Sequence, residues 1–265
     1  MWIHNLNPTL LSIGPVEIRW YGLVYVFGAL FSLWWLLRLQ KQGLLALSEE
    51  EVWDFIFYCL LGILVGARLF MLIWEPSTYL TNPLRLLYLW EGGMSFHGGF
   101  VGVISAGYLF CWRKKISFLR MADAMSFPTM LALALGRVAN FMNGELVGRV
   151  WDGTWCVLFP GEDVCRHPST LYAAGKRFLI AGWLYLLTVQ SSTLQFTSGF
   201  IFWNFMLLEG LGRFLVDFFR EDLLYTTLSL GQWMSLIMVV IAGFVLILRH
   251  KEDFHKLWSP LTQKT

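Results

Sequence analysis

Long apolar runs constrain this chain more than any other feature. Residues 224–248 carry no charged side chain, and neither do residues 20–37. A helix needs about 20 mostly apolar residues to cross hydrocarbon, where no water can satisfy a bare backbone. Seven stretches approach that length: residues 20–37, 52–74, 92–112, 123–144, 169–189, 199–219 and 224–248. The expected fold class is therefore an all-α polytopic membrane protein with about seven transmembrane helices. Composition agrees. Hydrophobic residues are 57% of 265 and charged residues 14%, against about 45–50% and 25% in soluble domains. A soluble globule of this size cannot hide that much apolar surface. The same figures exclude disordered, collagen-like and disulfide-stapled secreted chains. A net charge of +2 argues against nucleic acid as a partner.

The chain reads as one integral-membrane domain over residues 1–265. Pro128 either kinks or starts the fourth stretch, and a polar joint at 190–198 separates the fifth and sixth. A re-entrant segment could stand in for one span. The N-terminal flank lacks the basic region of a cleavable signal peptide. Absence of an internal repeat weighs against a secondary transporter. Lys and Arg concentrate after the first stretch (Arg38, Lys41), after the third (Arg113, Lys114, Lys115, Arg120) and in the tail (Arg249, Lys251, Lys256, Lys264). By the positive-inside rule these regions face the cytoplasm. The N-terminus is then periplasmic, the C-terminus cytoplasmic, residues 147–168 the longest extracytoplasmic loop, and residues 249–265 a cytoplasmic tail. Cys156 and Cys165 both fall in that loop. Their spacing can close a short ring in an oxidising compartment, or both can remain free thiols.

Charges inside apolar stretches are costly and mark candidate sites. Arg137, Asn140 and Gly144 fall on one helical face at i, i+3 and i+7, and Asn143 and Glu145 adjoin them. A guanidinium there suits a phosphate or carboxylate; the alternative is an Arg paired with Glu145 or with an acid of the sixth stretch. Glu209, Arg213 and Asp217 follow at i+4 steps, with Arg220 beyond. Arg213 is flanked by both acids, which either hold it or aim it at a ligand. His97 lies between Gly92-Gly93 and Gly98-Gly99, as a proton carrier or as a structural histidine. Arg19-Trp20-Tyr21 opens the first stretch, where an aromatic belt position is the simplest account of the rings.

Metal ligation does not fit, because the five histidines are scattered and neither Cys-x-x-Cys nor His-Glu-x-x-His occurs. Neither a nucleophile elbow nor a P-loop is present. Any chemistry would use a nucleophile that the substrate brings.

An ordered series of motifs spans nearly the whole chain. It runs through Arg19-Trp20-Tyr21-Gly22-Leu23, Gly66-Ala67-Arg68, Gly92-Gly93-Met94-Ser95-Phe96-His97-Gly98-Gly99 and Gly136-Arg137. It continues through Asn140-Phe141, Asn143-Gly144-Glu145, Gly148-Arg149, Leu158-Phe159-Pro160-Gly161 and Arg166-His167-Pro168-Ser169. It ends with Leu171-Tyr172, Arg213, Phe218-Phe219-Arg220 and Ser229-Leu230-Gly231-Gln232. This series resembles the prolipoprotein diacylglyceryl transferases of the bacterial inner membrane. The resemblance implies transfer of the diacylglyceryl group of phosphatidylglycerol to the lipobox cysteine of a preprolipoprotein signal peptide, with release of glycerol 1-phosphate and no cofactor. It implies that His97, Arg137 and Arg213 are catalytic. Tyr21, Asn140, Asn143, Glu145, Gly148 and Arg220 are implied to bind substrate. The chain departs from the family pattern at Glu209 where Tyr is common, Asp217 where Glu is usual, Ala173 for a Glu, and Glu221-Asp222 for a Pro-Asp. The competing reading is an anion or lipid transporter that uses the intramembrane arginines.

Overall fold

The computed structural model describes residues 1–13, 16–88 and 93–262. It divides into two compact units, Met1–Phe31 with Ala122–Thr265, and Ser32–Met121. Helix α1 (Trp20–Lys41) runs out of the first unit into the second.

The second unit is built on α2 (Glu49–Leu69), continued by α3 (Met71–Trp74) and α4 (Pro76–Thr81), and on α5 (Phe96–Lys114). Ser48 and Glu51 form a reciprocal capping box that starts α2. The helices α2 and α5 lie against each other through Gly62 and Gly66 on one and Gly98 and Gly102 on the other. A Cβ on any of the four would overlap the opposing backbone. This small-residue packing is common where lipid removes the hydrophobic drive for helix association. Lys114 at the end of α5 reaches Glu51 at 3.0 Å. Buried Arg68 gathers the connection between them, donating to Gly93 O at 2.8 Å and to Tyr88 O. Gly92, the expected start of the third stretch, lies outside the described residues.

The first unit begins with β1 (Trp2–Ile3) and a hairpin of β2 (Thr9–Ile13) and β3 (Val16–Arg19). Helix α6 (Phe118–Met142) enters it from the second unit. Then follow β4 (Val157–Leu158), α7 (Ser169–Leu194), α8 (Phe200–Val216), the hairpin β5 (Leu224–Tyr225) and β6 (Leu228–Ser229), α9 (Leu230–Arg249) and α10 (Lys251–Thr262). Strand β1 pairs parallel with β4. Buried Met130, Leu184, Leu187, Phe200, Ile201 and Leu246 form the core where α6, α7, α8 and α9 meet. Asp123 of α6 accepts the free N–H groups of Gly199 (2.6 Å) and Phe202 (2.7 Å) at the start of α8. A carboxylate at a helix N-terminus satisfies orphan donors and complements the dipole.

The protein is thus a mostly helical, multi-pass membrane protein. Each stretch read as a span is largely helical, with shifted boundaries. Pro128 lies inside α6, which starts at Phe118. The polar joint is shorter than 190–198 because α7 continues to Leu194. The last stretch starts at Leu230, since residues 224–229 turn back as a hairpin capped by Ser229. Among the described residues, four helical segments are long and apolar enough to cross a membrane: Trp20–Lys41, Glu49–Trp74, Phe118–Met142 and Leu230–Arg249. Helix α8 has 17 residues, and α5 and α7 are less apolar. The small β pairs are additions that an all-helical reading misses, and residues 251–262 of the tail form helix α10.

Candidate active site

The C-terminal turn of α6 gathers the first set of expected residues. Arg137 Nη1 donates to Asn140 Oδ1 at 3.3 Å. Asn140 and Asn143 both donate from Nδ2 to Glu145 Oε1, at 2.7 and 3.1 Å. The helix ends at Met142, so Gly144 is not on the helical face with Arg137 as the spacing suggested. It adopts φ +69°, the left-handed turn that glycine favours, and folds Glu145 back onto Asn140. Glu145 therefore takes two amides and not Arg137. Among the described residues Arg137 makes no ion pair. The charges acting on it include the guanidiniums of Arg177, Arg220 and Arg213 and the carboxylates of Glu209 and Asp222.

The acid–base stripe of the sixth stretch splits in two. Glu209, 7% exposed, does not flank Arg213. It turns to α7, where Lys176 Nζ donates at 2.5 Å and Arg177 donates from Nε at 3.1 Å and from Nη2. Spacing along one helix cannot reveal a partner on the next. Among the described residues Arg213 keeps Asp217 as its ion-pair partner, with Nε and Oδ2 3.5 Å apart. That Oδ2 is buried and makes no hydrogen bond. Arg220 lies 3.8 Å from Asp217 and grips Asp222 with two bonds, at 2.9 and 3.1 Å. Those bonds hold the Asp222 carboxyl below its usual range. The charges that act on Arg137 are thus three guanidiniums, of Arg177, Arg213 and Arg220, against the carboxylates of Glu209 and Asp222.

A short ladder attaches this cluster to the loop. Gly148 N–H donates to His167 O at 3.1 Å, His167 N–H to Arg149 O at 3.0 Å, and Arg149 N–H to Phe219 O at 2.9 Å. Arg149 Nε donates to Arg220 O at 2.7 Å. Arg166 bonds Gly148 O (3.2 Å), Glu162 (2.8 Å) and Glu221. The His167 ring stacks on Trp151, centroids 4.3 Å apart, and burial lowers its pKa. Cys156 and Cys165 are joined as a disulfide, Cα atoms 5.5 Å apart, which resolves the alternative left by their spacing.

Tyr21 on α1 accepts from Tyr25 Oη at 2.9 Å, and Glu145 acts electrostatically on Tyr25. Tyr21 and the α6 turn thus belong to one unit. His97 belongs to the second unit. It sits in the first turn of α5, exposed, with its ring 6.3 Å from Trp74. Ser95 caps that turn. Sequence reasoning did not find the roles of Lys176, Arg177, Asp222 and Arg149. Two cations inside an apolar stretch were the available signal, without their partner.

These features define a multi-pass helical membrane protein with a cation-rich interior. Among the described residues no cluster of His, Cys, Asp or Glu could hold a metal. The family described as prolipoprotein diacylglyceryl transferase matches residues 8–248. A phosphatidylglycerol–prolipoprotein diacylglyceryl transferase of Geobacter sulfurreducens is 41% identical over 248 residues, 91% of this chain and 94% of its own. Enzymes of the same name from Bordetella parapertussis (41%, 89% of this chain and 92% of its own) and Rickettsia africae (38%, 93% and 98%) are similar. The chain belongs to the prolipoprotein diacylglyceryl transferase family. It is a transferase, and the transporter reading has no support.

Proposed function

We propose that the chain transfers the diacylglyceryl group of phosphatidylglycerol to the lipobox cysteine of a preprolipoprotein signal peptide, at the α6 turn. The observation that carries this placement is that Arg137, on which the guanidiniums of Arg213 and Arg220 act electrostatically, bonds Asn140 and makes no ion pair among the described residues. Guanidiniums grip phosphate in a bidentate way and stabilise charge as it develops. The acceptor sulfur, as thiolate, attacks the methylene carbon that bears the phosphate. The C–S bond forms and the C–O bond breaks. Glycerol 1-phosphate leaves with the bonding electrons, its charge held by Arg137 and Arg213. His97 takes the thiol proton, as the family resemblance implies. Asn140, Asn143 and Glu145 orient the lipid headgroup beside Arg137, and Gly148 and Arg220 fix the rim. Tyr21 binds substrate from α1. No metal or organic cofactor takes part.

The enzyme works in the bacterial inner membrane, with seven crossings, a periplasmic N-terminus and a cytoplasmic C-terminus. Residues 147–168 lie outside the cytoplasm and residues 249–265 form the cytoplasmic tail. The disulfide supports this orientation, since the periplasm is oxidising. The test is lipidation of a lipobox peptide by purified protein with labelled phosphatidylglycerol. Arg137→Ala should lower the rate by about 10²–10³, and Arg137→Lys should recover little, since Lys lacks the planar fork. Full turnover by a folded Arg137→Ala protein would refute the placement.

A further inference from the structure

The proposed chemistry leaves the N-terminal strap without a role. Its backbone is laid along the disulfide loop: Trp2 N–H donates to Cys156 O and His4 N–H to Leu158 O, each at 2.9 Å. The strap thereby delivers the His4 side chain, 6% exposed, to the end of α6. His4 Nε2 lies 2.7 Å from Phe141 O. A carbonyl only accepts, so this ring nitrogen carries the proton. The same carbonyl accepts the Gly144 N–H at 3.0 Å. Two donors, one local and one from the strap, thus fix a carbonyl between Asn140 and Asn143.

Ring packing acts on the same turn. The Phe141 ring stacks on Trp2 and meets His4 edge-on, with centroids 5.5 and 5.4 Å apart. Phe159 covers His4 from the loop side at 5.5 Å. At Gly144, a Cβ would stand 3.3 Å from Pro160 and 3.5 Å from the His4 ring. The turn that returns Glu145 to Asn140 is therefore walled by His4 and Pro160. The Phe141 ring itself sits in this box, against Trp2, His4 and Phe159.

We propose that His4, carried on a strap clamped to the Cys156–Cys165 loop, is a positioning residue for the transfer reaction. It holds the turn that sets Asn140, Asn143 and Glu145 beside Arg137. The proposal rests on reading that turn as the active site. His4 touches no reacting atom in it, and acts through the Phe141 carbonyl and Gly144. A displacement of about 1 Å in a positioned group costs on the order of 10²-fold in rate, so loss of the hydrogen bond should appear in kcat.

The experiment uses the full-length protein in detergent, labelled phosphatidylglycerol and a lipobox peptide. His4→Phe keeps a ring in the box and removes the donor. His4→Gln restores an N–H at similar reach. The expected result is a fall in kcat of about 10–100-fold for His4→Phe, with the KM for the lipid changed far less. His4→Gln should recover most of the loss, at melting temperatures close to that of His4→Phe. The Cys156→Ser/Cys165→Ser double variant should slow the wild-type background but add little to His4→Phe, because both loosen one strap. Wild-type kcat in His4→Phe, no recovery in His4→Gln, or fully multiplicative effects of strap and disulfide would each overturn the proposal. Arg137→Ala is assayed alongside: if it stays active, the active-site reading fails, whatever the His4 variants do.

Discussion

Gly148 is where the loop backbone is clamped most tightly, and a single methyl group there tests the site's construction. A Cβ at this position would stand 2.5 Å from His167 O, 2.6 Å from Phe219 O and 2.8 Å from His167 Cβ. Two of the three obstacles are backbone atoms, so no rotamer change relieves the overlap. Alanine must push the chain away on both sides by several tenths of an ångström. The bonds that hold it there are Gly148 N–H to His167 O and Arg149 N–H to Phe219 O. Each contributes about 0.5–1.5 kcal/mol, so Gly148→Ala costs the loop about 1–3 kcal/mol. The displaced Phe219 carbonyl immediately precedes Arg220. With Arg220 in its proposed substrate-binding role, a shift approaching 1 Å there lowers the rate by about 10².

The assay is kcat/KM for lipid transfer to a lipobox peptide, beside the detergent melting curve. Gly148→Ala should lose about 10²-fold in kcat/KM while remaining folded at the assay temperature. Gly182→Ala is the control, since a Cβ there meets nothing within 4 Å. It should behave as wild type. Wild-type kcat/KM for Gly148→Ala would show that the ladder can open without moving Arg220, and the reasoning would fail.

If His97 is the base, His97→Gln should slow transfer by about 10²–10⁴ with the melting temperature unchanged; near wild-type turnover would count against it. Glu209→Gln strips the carboxylate from Lys176 and Arg177. Breaking a buried pair in this way costs about 3–5 kcal/mol, to be read as a large drop in melting temperature, and a neutral effect would mean that the triad is not what joins α7 to α8. Burial lowers the His167 pKa, so the folded loop resists a proton that the unfolded chain accepts. Its contribution to stability is complete above the unfolded value of about 6.5 and is lost as pH falls from there through the folded value. Melting temperatures measured from pH 7.5 downward should fall through that window, and His167→Phe should flatten the decline.

The helical stretches were legible because length and apolarity are local properties, read one segment at a time. Arg137 and Arg213 were legible for the opposite reason: a guanidinium in an apolar run needs an explanation wherever it lies. The pairing of charges was not. Glu209 and Arg213 on α8 and Asp217 just past its end are one turn apart, and i+4 spacing joins them in a single stripe. The fold sends Glu209 to Lys176 and Arg177 on α7 and leaves Arg213 with Asp217. Both arrangements satisfy the same spacing, and only the rotation of α8 against α7 separates them. Gly144 was misplaced for a related reason. Helical periodicity was extended past Met142, although the Asn143-Gly144 pair is itself a helix stop signal.

The pairing has a consequence for catalysis that the separate residues do not. Glu209 neutralises charge on α7 and does not compete for Arg213. Asp222 is occupied by Arg220, and Glu145 by two amides. These carboxylates are thus committed elsewhere, and among the described residues the Arg137 guanidinium keeps one polar partner, the neutral Asn140. An uncompensated cation inside a membrane protein is costly, and with Arg137 in the proposed role that cost is relieved when an anionic lipid headgroup arrives. Relief shared equally by bound lipid and transition state would only tighten binding. It accelerates the reaction to the extent that the phosphate gains charge as the C–O bond breaks. On the proposed reading, then, replacing Asn140 by Asp would do more harm than replacing it by Ala, because a carboxylate there would give Arg137 the counterion that the rest of the fold withholds.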